Sequence, residues 1–453
     1  MSRPELDVRA VADLSPDERA ALFERSAGVD AVRADAREIV ERVRTEGDVA
    51  LREFAREFDD VDVGAIDVTD TAERAVDDVD DEVLAAIREA AANVRAFHER
   101  QLPEDWTETV DGRELGRRFR PIDRVGVYVP GGAAAYPSSA LMGVIPAVVA
   151  GVDHVAVATP PAEEPNPATL AAIHEAGADA VYAVGGAQAV AALAYGTETV
   201  APVRKVVGPG NRYVTAAKDV VRGDVAIDFL AGPSEVLVVA DGTADPAFVA
   251  AELVAQAEHD PNAAVVAVTD DREVAEAVAA AAERQAVERD RADVIREALE
   301  NDASGVFHAR SLSEAVLFAE EFAPEHLSIQ ADAPGALLDR LSNYGSAFLG
   351  PYTPVAAGDY ASGTNHVLPT NGGARVTGGL SVDTFLRATT VQRLDRGALA
   401  DLAPTIETLA EAEGLEAHAA SVRRRFADGD AADDGTAGTT DDPGTDDDGT
   451  ADG

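Results

Sequence analysis

Two series of short apolar segments alternate with helical segments, and this alternation constrains the fold more than any other feature. The segments of the two series are residues 125–129, 154–159, 180–184 and 203–208, followed by 235–240, 264–269, 305–309 and 346–350. Their spacing of roughly 25 to 30 residues is the spacing of βαβ units. The sequence therefore predicts two consecutive α/β domains with largely parallel sheets.

The segments on either side of the two series have a different character. Residues 1–120 are polar, with helical spacing and no strand pattern, and the C-terminal helical segment is interrupted at Gly414. The last 27 residues contain ten Asp and no Lys or Arg, so they cannot bury enough apolar surface to offset the entropy of ordering. The predicted regions are therefore a helical N-terminal region at 1–120, two α/β domains at 121–232 and 233–380, a helical C-terminal region at 381–426 and a disordered acidic tail at 427–453.

Charge and composition exclude several classes of function. The chain has 83 acidic and 38 basic residues, a formal net charge of −45, and its only lysines are Lys205 and Lys218. Such a chain repels nucleic acid and anionic membranes, and its composition indicates a protein that stays soluble in concentrated salt, where self-repulsion is screened. The N-terminus lacks the apolar core of a signal peptide, and the longest apolar run, residues 140–152, is too short to span a bilayer. We therefore expect a cytoplasmic protein.

The chain contains no cysteine, which excludes disulfides, thiolate metal ligands and thiol nucleophiles. Metal ligands must then come from other side chains.

In residues 245–262, Asp245 is expected to cap a helix that ends before Pro261, which places Gln256 and His259 three residues apart on one face. This pair could form half of a metal site. On spacing alone the alternative is favoured, a polar helix end whose His complements the helix dipole.

Glu325 and His326 are adjacent in the segment FAPEHLSI. They could both reach one pocket only if the backbone is irregular, which Pro324 favours. Two proton acceptors of different strength would suit two successive proton abstractions. The alternative is a helix-capping Glu followed by a His at the boundary of an element.

Residues 357–370 fit neither helix nor strand spacing, yet they carry Asp359 and His366. Further along the chain, His418 follows Glu413 by five residues, and a break at Gly414 would allow the two side chains to converge. Together with the pair at 256 and 259, Asp359 and His418 would make a mixed N/O ligand set, compatible with Zn²⁺ and also with Mn²⁺ or Co²⁺.

Glycine-rich turns follow three of the predicted strands, at residues 130–139, 184–193 and 207–214. Turns of this kind at strand ends line the crevice of a nucleotide-binding fold. None reads GxGxxG with an acidic residue at the usual distance. We therefore expect a nucleotide site with an incomplete Rossmann fingerprint.

In order along the chain, these segments resemble the L-histidinol dehydrogenase family. The motifs that carry the resemblance are VGVYVPGG, PSSALMGVIPA, VGGAQAVAALAYGTETV, VGPGNRYV, DFLAGPSEVLV, AQAEHDP, FAPEHL, GDYASGTNHVLPT and IETLAEAEGLEAH. They cover the chain from about residue 20 to residue 426. The resemblance implies an α/β fold with two Rossmann-like domains of the aldehyde-dehydrogenase-like type, and it implies oxidation of L-histidinol through the aldehyde to L-histidine with two NAD⁺ and one Zn²⁺.

The resemblance also implies roles for individual residues. Glu325 and His326 would be the acid/base residues, and Tyr128, Gln188 and Asn211 would contact NAD⁺. The zinc ligands would be Gln256, His259, Asp359 and His418, with His418 supplied by the second subunit of a homodimer. Substrate contacts would come from Ser234, Gln256, His259, His326, Asp359, Glu413 and His418. The role of His366 stays open.

The absence of cysteine sharpens the expected mechanism, because the second oxidation cannot pass through a thiohemiacetal. Water must add to the aldehyde, so we expect His326 to take the alcohol proton in the first step and Glu325 to activate water for the second. The alternatives are a zinc hydrolase with the same ligands, a non-catalytic NAD-binding regulator, and a related zinc- and NAD-dependent dehydrogenase of another amino alcohol or sulfonate.

Overall fold

The structure is a computed structural model that describes residues 6–23, 25, 28–131 and 135–427. The glycine-rich turn at 130–139 is therefore only partly described, and of the predicted disordered tail all but Ala427 lies outside the described residues. Within the described part of the chain, no helix is both long and apolar enough to cross a membrane.

Strands and helices alternate through most of the chain. The strands are β1 (Val8–Ala10), β2 (Trp106–Val110), β3 (Arg113–Pro121), β4 (Arg124–Tyr128), β5 (His154–Thr159), β6 (Ala180–Ala183), β7 (Lys205–Val207), β8 (Ala226–Ile227), β9 (Glu235–Ala240), β10 (Ala264–Thr269), β11 (Gly305–His308), β12 (His326–Gln330), β13 (Ser346–Leu349) and β14 (Leu386–Leu394). The helices are α1 (Pro16–Phe23), α2 (Val29–Glu46), α3 (Asp48–Phe58), α4 (Thr69–Arg74), α5 (Asp81–Glu99), α6 (Pro137–Val149), α7 (Pro167–Ala176), α8 (Gly186–Tyr195), α9 (Arg212–Val221), α10 (Pro246–Ala257), α11 (Arg272–Ala286), α12 (Ala292–Glu300), α13 (Leu312–Phe322), α14 (Pro334–Leu338), α15 (Val355–Tyr360), α16 (Arg396–Ala412) and α17 (Glu416–Arg424).

The described residues form two compact units. The first comprises the chain up to Pro103 together with Phe119–Arg387, and the second comprises Glu104–Arg118 and the chain from Ala388. The first unit contains two sheets whose paired strands are parallel, one of order β6-β5-β4-β7-β8 and one of order β1-β11-β10-β9-β12-β13. The predicted α/β fold with two parallel sheets is confirmed.

Both large sheets are buried on their two faces, because successive residues of each strand join different hydrophobic clusters. In β9, Val236 and Val238 pack into one cluster and Leu237 and Val239 into another. Parallel sheets covered on both sides by crossover helices require such continuous apolar strands. This is why the apolar runs of the sequence predicted these strands closely.

Two strands of the second sheet, β1 and β12, were not predicted. β12 lies between β9 and β13, where its Ser328 and Gln330 are buried. Gln330 Nε2 donates a hydrogen bond to Ser328 Oγ at 3.1 Å, so these polar groups satisfy each other inside the sheet. The two polar residues interrupt the apolar run, which removed the sequence signal for a buried strand.

The regions predicted as helical need correction, because they also contain strands. Residues 1–120 hold α1 to α5 but also β1, β2 and part of β3, and residues 381–426 begin with β14 before α16 and α17. β2 is exposed along its whole length, and β14 is exposed between its ends. Strands that bury neither face carry no alternation of apolar and polar residues. β1 is only three residues long and is recognised by its parallel pairing with β11.

The second unit contains the helices α16 and α17 and most of a sheet of order β14-β3-β2. Within this sheet, β2 and β3 pair antiparallel. The strands of the first large sheet end at Ile227, and β9 begins at Glu235. Because both large sheets belong to one compact unit, a domain boundary near residues 231–234 stays a prediction.

Candidate active site

A cavity of about 1850 Å³ opens within the first unit. It is lined by ten of the residues singled out in the sequence, namely Tyr128, Gln188, Asn211, Ser234, Gln256, His259, Glu325, His326, Asp359 and His366. They lie on strands, helices and connecting segments around both large sheets. β4 contributes its carboxyl end, whereas β9 and β12 contribute their amino ends or the residues just before them.

The predicted NAD-contacting residues lie at the ends of elements of the first sheet. Tyr128 ends β4, and its hydroxyl accepts a hydrogen bond from the Gly186 N–H at 3.1 Å. Gln188 lies in the first turn of α8 and is 3% exposed. Asn211 caps α9, and its Oδ1 accepts hydrogen bonds from two backbone N–H groups at 2.9 and 3.2 Å.

The loop at residues 208–211 approaches the end of β4 so closely that it requires a glycine. A Cβ on Gly208 would lie 2.2 Å from the carbonyl oxygen of Tyr128, and the φ of Gly208 is +111°. Glycine alone combines this conformation with this contact. The glycine therefore brings the cap residue Asn211 to the same edge of the sheet as Tyr128.

Glu325 and His326 lie side by side in the cavity wall. Glu325 is in the bend between α13 and β12, so the irregular backbone predicted at Pro324 is present. His326 Nδ1 lies 3.5 Å from Glu325 Oε2, and His326 Nε2 lies 3.5 Å from Asp359 Oδ1. The imidazole is thus flanked by two carboxylates.

Backbone contacts set the tautomer of His326. Its Nδ1–H donates a hydrogen bond to the carbonyl of Glu235 at 2.9 Å, because a carbonyl oxygen can only accept. In the neutral ring Nε2 then carries the lone pair, and this buried nitrogen has no hydrogen-bond partner among the described residues. Nε2 is therefore the atom able to accept a proton from a ligand in the cavity.

Burial and charge act in opposite directions on His326. Burial lowers the pKa of the imidazole, but the carboxylates of Glu325 and Asp359 outweigh it, and the pKa lies well above its usual value. For Asp359, burial raises the pKa of the carboxyl, whereas His326, His366 and His259 lower it, with a net decrease. Asp359 and His259, two of the predicted metal ligands, both line the cavity.

Asp359 was expected in an irregular loop, but it lies on the short helix α15. The helix is only six residues long, and its small residues gave no amphipathic pattern in the sequence. Glu252, a buried residue of α10, accepts a hydrogen bond from the N–H of Val355 at the start of α15 at 2.9 Å. Burial raises the pKa of Glu252, and Asp359 contributes to the same shift.

His366 lies in the irregular part of the same segment and is tied to the cavity wall. Its Nδ1–H donates to the carbonyl of Asp359 at 2.9 Å, and its Nε2 lies 3.3 Å from Ser139 Oγ. Burial lowers the pKa of His366, which favours the neutral ring. Its contact with the Asp359 backbone supports a role in holding that residue in place.

The helix that carries Gln256 begins as expected but ends earlier than expected. Asp245 Oδ1 accepts a hydrogen bond from the Ala247 N–H at 2.8 Å, which confirms the predicted cap. α10 ends at Ala257, so His259 lies in the following turn and not in the last helical turn. Gln256 is buried and His259 exposed, yet both line the cavity.

The donor set at this end of the cavity fits a zinc ion. Gln256, His259 and Asp359 supply amide oxygen, imidazole nitrogen and carboxylate oxygen, which are ligands that Zn²⁺ accepts. Among the described residues, no three His, Asp or Glu side chains are close enough to hold a metal by themselves. Gln256, His259 and Asp359 are therefore candidate ligands, and a four-coordinate zinc ion would take its remaining position from another group.

Glu413 and His418 belong to the second unit and are not among the residues that line the cavity. α16 ends at Ala412, Gly414 has a φ of +73°, and α17 begins at Glu416, so the predicted break at Gly414 is present. Glu413 and His418 are both exposed.

Sequence reasoning missed several residues that surround the site. The Glu235 N–H donates a hydrogen bond to Glu325, and Glu235 accepts hydrogen bonds from Glu325 and His326, while Arg25 forms an ion pair with the Glu235 carboxylate. A charged residue at the head of the apolar run 235–240 was the available signal. Arg25 gave none, because nothing local distinguishes it from other surface-type arginines.

Similarity to known proteins identifies the family of this chain. The family model described as "Histidinol dehydrogenase" matches residues 23–426. The chain belongs to the histidinol dehydrogenase family. As a member of this family, it is an oxidoreductase of histidine biosynthesis.

Relatives in the histidinol dehydrogenase family include two from halophilic archaea. The histidinol dehydrogenase of Haloarcula marismortui is 73% identical over 93% of this chain and 100% of its own length. That of Halobacterium salinarum is 72% identical over the same shares. Both fit the expectation, from the acidic composition, of a protein adapted to salt.

A solved structure confirms the fold. The crystal structure of histidinol dehydrogenase from Elizabethkingia anophelis has a TM-score of 0.89 at 36% identity, covering 94% of this chain and 99% of that chain. Aldehyde dehydrogenases are only distantly similar, as in the acetylating enzyme of Geobacillus thermoglucosidasius, with a TM-score of 0.45 at 13% identity.

Proposed function

We propose that the chain oxidises L-histidinol through L-histidinaldehyde to L-histidine with two molecules of NAD⁺. The observation that carries this proposal is the cavity in which Glu325, His326 and Asp359 meet the candidate metal ligands and the candidate cofactor contacts. Two acid/base groups beside one reacting carbon suit two successive oxidations.

His326 Nε2 takes the hydroxyl proton in the first oxidation, while the carbinol carbon transfers a hydride to NAD⁺. The tautomer set by the Glu235 carbonyl leaves this nitrogen free to accept the proton. A cation held by Asp359 would offset part of the negative charge beside the imidazole, which would favour the neutral, proton-accepting form of His326.

Glu325 acts in the second oxidation. The chain has no cysteine, so the aldehyde must add water, and Glu325 takes a proton from that water as the hydrate forms. A second hydride then leaves the hydrate for the second NAD⁺. Glu325 Oε2 accepts a hydrogen bond from the Glu235 N–H at 2.8 Å, which leaves Oε1 to receive the proton.

NAD⁺ lies against Tyr128, Gln188 and Asn211 in this proposal. All three line the cavity that contains the acid/base pair. The N-termini of α8 and α9 also lie at this edge, and helix N-termini favour the pyrophosphate charge. The cofactor and the acid/base pair can therefore face one substrate.

Gln256, His259 and Asp359 would hold one Zn²⁺ together with His418 of the partner subunit in a homodimer. The bound ion would orient the substrate through its imidazole and amino groups. Ser234, which lines the cavity, and Glu413 of the partner subunit would complete the substrate contacts. Three ligands from one chain would leave the fourth position of a tetrahedral Zn²⁺ for this histidine. We propose a cytoplasmic enzyme, as expected for a biosynthetic oxidoreductase.

A steady-state assay tests the proposal. The chain is incubated with L-histidinol and NAD⁺ in high salt, before and after chelation, and NADH is followed by absorbance. We expect two NADH per histidinol, loss of activity after chelation and recovery on adding Zn²⁺. If no NADH forms from histidinol after the metal is restored, the proposed reaction is refuted. If the chain instead shows metal-dependent hydrolysis without NAD⁺, it is a hydrolase.

A further inference from the structure

Residue 235 contacts both members of the acid/base pair from behind. The Glu235 N–H donates to Glu325 Oε2 at 2.8 Å, and the Glu235 carbonyl accepts from His326 Nδ1 at 2.9 Å. In return, the Glu325 N–H donates to Glu235 Oε2 at 3.4 Å. The position of residue 235 therefore determines where both acid/base side chains stand.

The carboxylate of Glu235 is held in turn by Arg25. Arg25 Nε and Nη2 donate to Glu235 Oε1 and Oε2 at 2.7 and 3.0 Å, a two-pronged contact that fixes orientation as well as distance. The Asn371 N–H adds a hydrogen bond to Oε1 at 2.8 Å. The two side chains of the ion pair are 5% and 1% exposed, so solvent screening is small.

Arg25 also connects the elements around the bend that carries Glu325. Its remaining N–H groups donate to the carbonyls of Leu22 at 2.7 Å and Phe322 at 3.0 Å, and its guanidinium lies 3.7 Å from the centre of the Phe322 ring. Phe322 ends α13, and Ala323 follows with a φ of +51° before the chain reaches Glu325. One guanidinium thus ties the end of α1, the end of α13 and the start of β9.

Stability alone gives a weak reason for such a pair. A buried ion pair must offset the desolvation of both charges, and apolar residues of similar volume often serve the fold equally well. A two-pronged ion pair does, however, define geometry to within a narrow range, which acid/base chemistry requires. Its location directly behind Glu325 and His326 matches that use.

We propose that Arg25 and Glu235 are positioning residues, which hold Glu325 and His326 in the geometry for proton transfer. Neither side chain is assigned a contact with substrate, and both act through the backbone and the side-chain contacts of residue 235. This proposal rests on the proposed function, in which Glu325 and His326 serve different oxidations. It therefore implies that losing the pair slows both oxidations together.

Two variants test the proposal. Arg25→Lys keeps the positive charge but loses the two-pronged contact, and the double variant Arg25→Gln with Glu235→Gln removes both charges, so that neither is left buried alone. The matched control is Asp48→Asn, which alters a carboxylate that is also buried, at 7% exposure, and bonded to Thr197 and Thr199 outside the cavity lining.

We expect both variants to lower kcat by about tenfold to a hundredfold for histidinol and for histidinaldehyde alike, with each KM within about twofold of the unaltered chain. Asp48→Asn should lower the unfolding midpoint and leave kcat per folded subunit unchanged. Unchanged kcat in both test variants, or a loss that matches the unfolded fraction, would overturn the proposal.

A second readout needs no turnover. The His326 ring N–H, assigned in ¹⁵N NMR by its loss in His326→Gln, should exchange slowly in the unaltered chain and faster in both variants. If the unaltered chain forms no NADH but the exchange differs in this way, the proposed function fails and the positioning proposal stands. If the chain turns over while the ring N–H exchange is the same in all variants, the positioning proposal fails alone.

Discussion

Lys218→Met should destabilise the fold far more than the loss of one surface charge. The Lys218 ammonium forms an ion pair with Asp228 inside the protein, where the two side chains are 3% and 2% exposed. It also donates to the carbonyl of Gly208 at 3.0 Å, while Asp228 accepts from the N–H groups of Gly208 and Phe229 at 2.8 and 2.7 Å. The substitution would leave the Asp228 carboxylate buried without its cation.

The cost follows from this arrangement. Breaking a buried ion pair by removing one partner costs about 3–5 kcal/mol of unfolding free energy, because the remaining charge is uncompensated. Salt should reduce this cost little, since ions screen exposed charges and hardly reach a pair buried to this extent. The double variant Lys218→Met with Asp228→Asn should recover most of the loss. Because Gly208 begins the loop that carries Asn211, KM for NAD⁺ should also rise.

Urea unfolding followed by circular dichroism, at about 1 M and about 3 M KCl, measures both the loss and its salt dependence. The matched control is Arg272→Met, which removes an exposed ion pair to Glu276 whose side chains are 64% and 58% exposed, and should cost at most about 0.5 kcal/mol. A loss below about 1 kcal/mol for Lys218→Met, or one that disappears at the higher salt, would refute the reasoning.

Three further predictions concern the site. Glu325→Gln should slow aldehyde oxidation about a hundredfold and alcohol oxidation much less, measured by stopped-flow NADH formation from each substrate; equal losses would contradict the division of roles. Asp359→Ala and His418→Ala should each be inactive alone. When the two variants are mixed, dissociated and allowed to reassociate, about a quarter of the activity should return, since half of the dimers would be mixed and each would hold one intact site. No recovery would argue against shared sites. Asp59→Asn should raise the thermal midpoint at pH 8 but not at pH 4, because burial raises the pKa of Asp59 to about 6. The protonated carboxyl favours the folded state, and this contribution to stability is lost as the pH rises toward 6. An equal change at both pH values would refute this reasoning.

Each of the two lysines of this acidic chain has an internal partner in the structure. Lys218 lies in the buried ion pair, and the half-buried Lys205 donates from Nζ to the carbonyl of Thr384 at 2.6 Å. Burial lowers the pKa of Lys205. Both lysines are therefore found where an ammonium has an internal partner, and the exposed cations of the chain are arginines.

Sequence patterns predicted those elements whose burial follows a simple period. The strands β5, β9 and β10 occupy the ranges of their apolar runs, and α10 begins at the predicted cap Asp245 and Pro246. Strands exposed on both faces, such as β2 and β14, were missed because neither face is buried, so their sequences lack the alternation of apolar and polar residues that indicates a strand. β12 was missed because Ser328 and Gln330 satisfy each other by a hydrogen bond that only tertiary packing makes.

The sequence by itself determined the two parallel sheets, the irregular bend at Glu325 and the types of side chain available for chemistry, because each depends on neighbours along the chain. Only the tertiary structure decided that Tyr128, Asn211, Gln256 and Asp359 line one cavity, and that Arg25 and Glu235 hold the acid/base pair from behind. These contacts join segments that are distant in sequence. They depend on how strands and helices pack in three dimensions, and local sequence periodicity does not predict that packing.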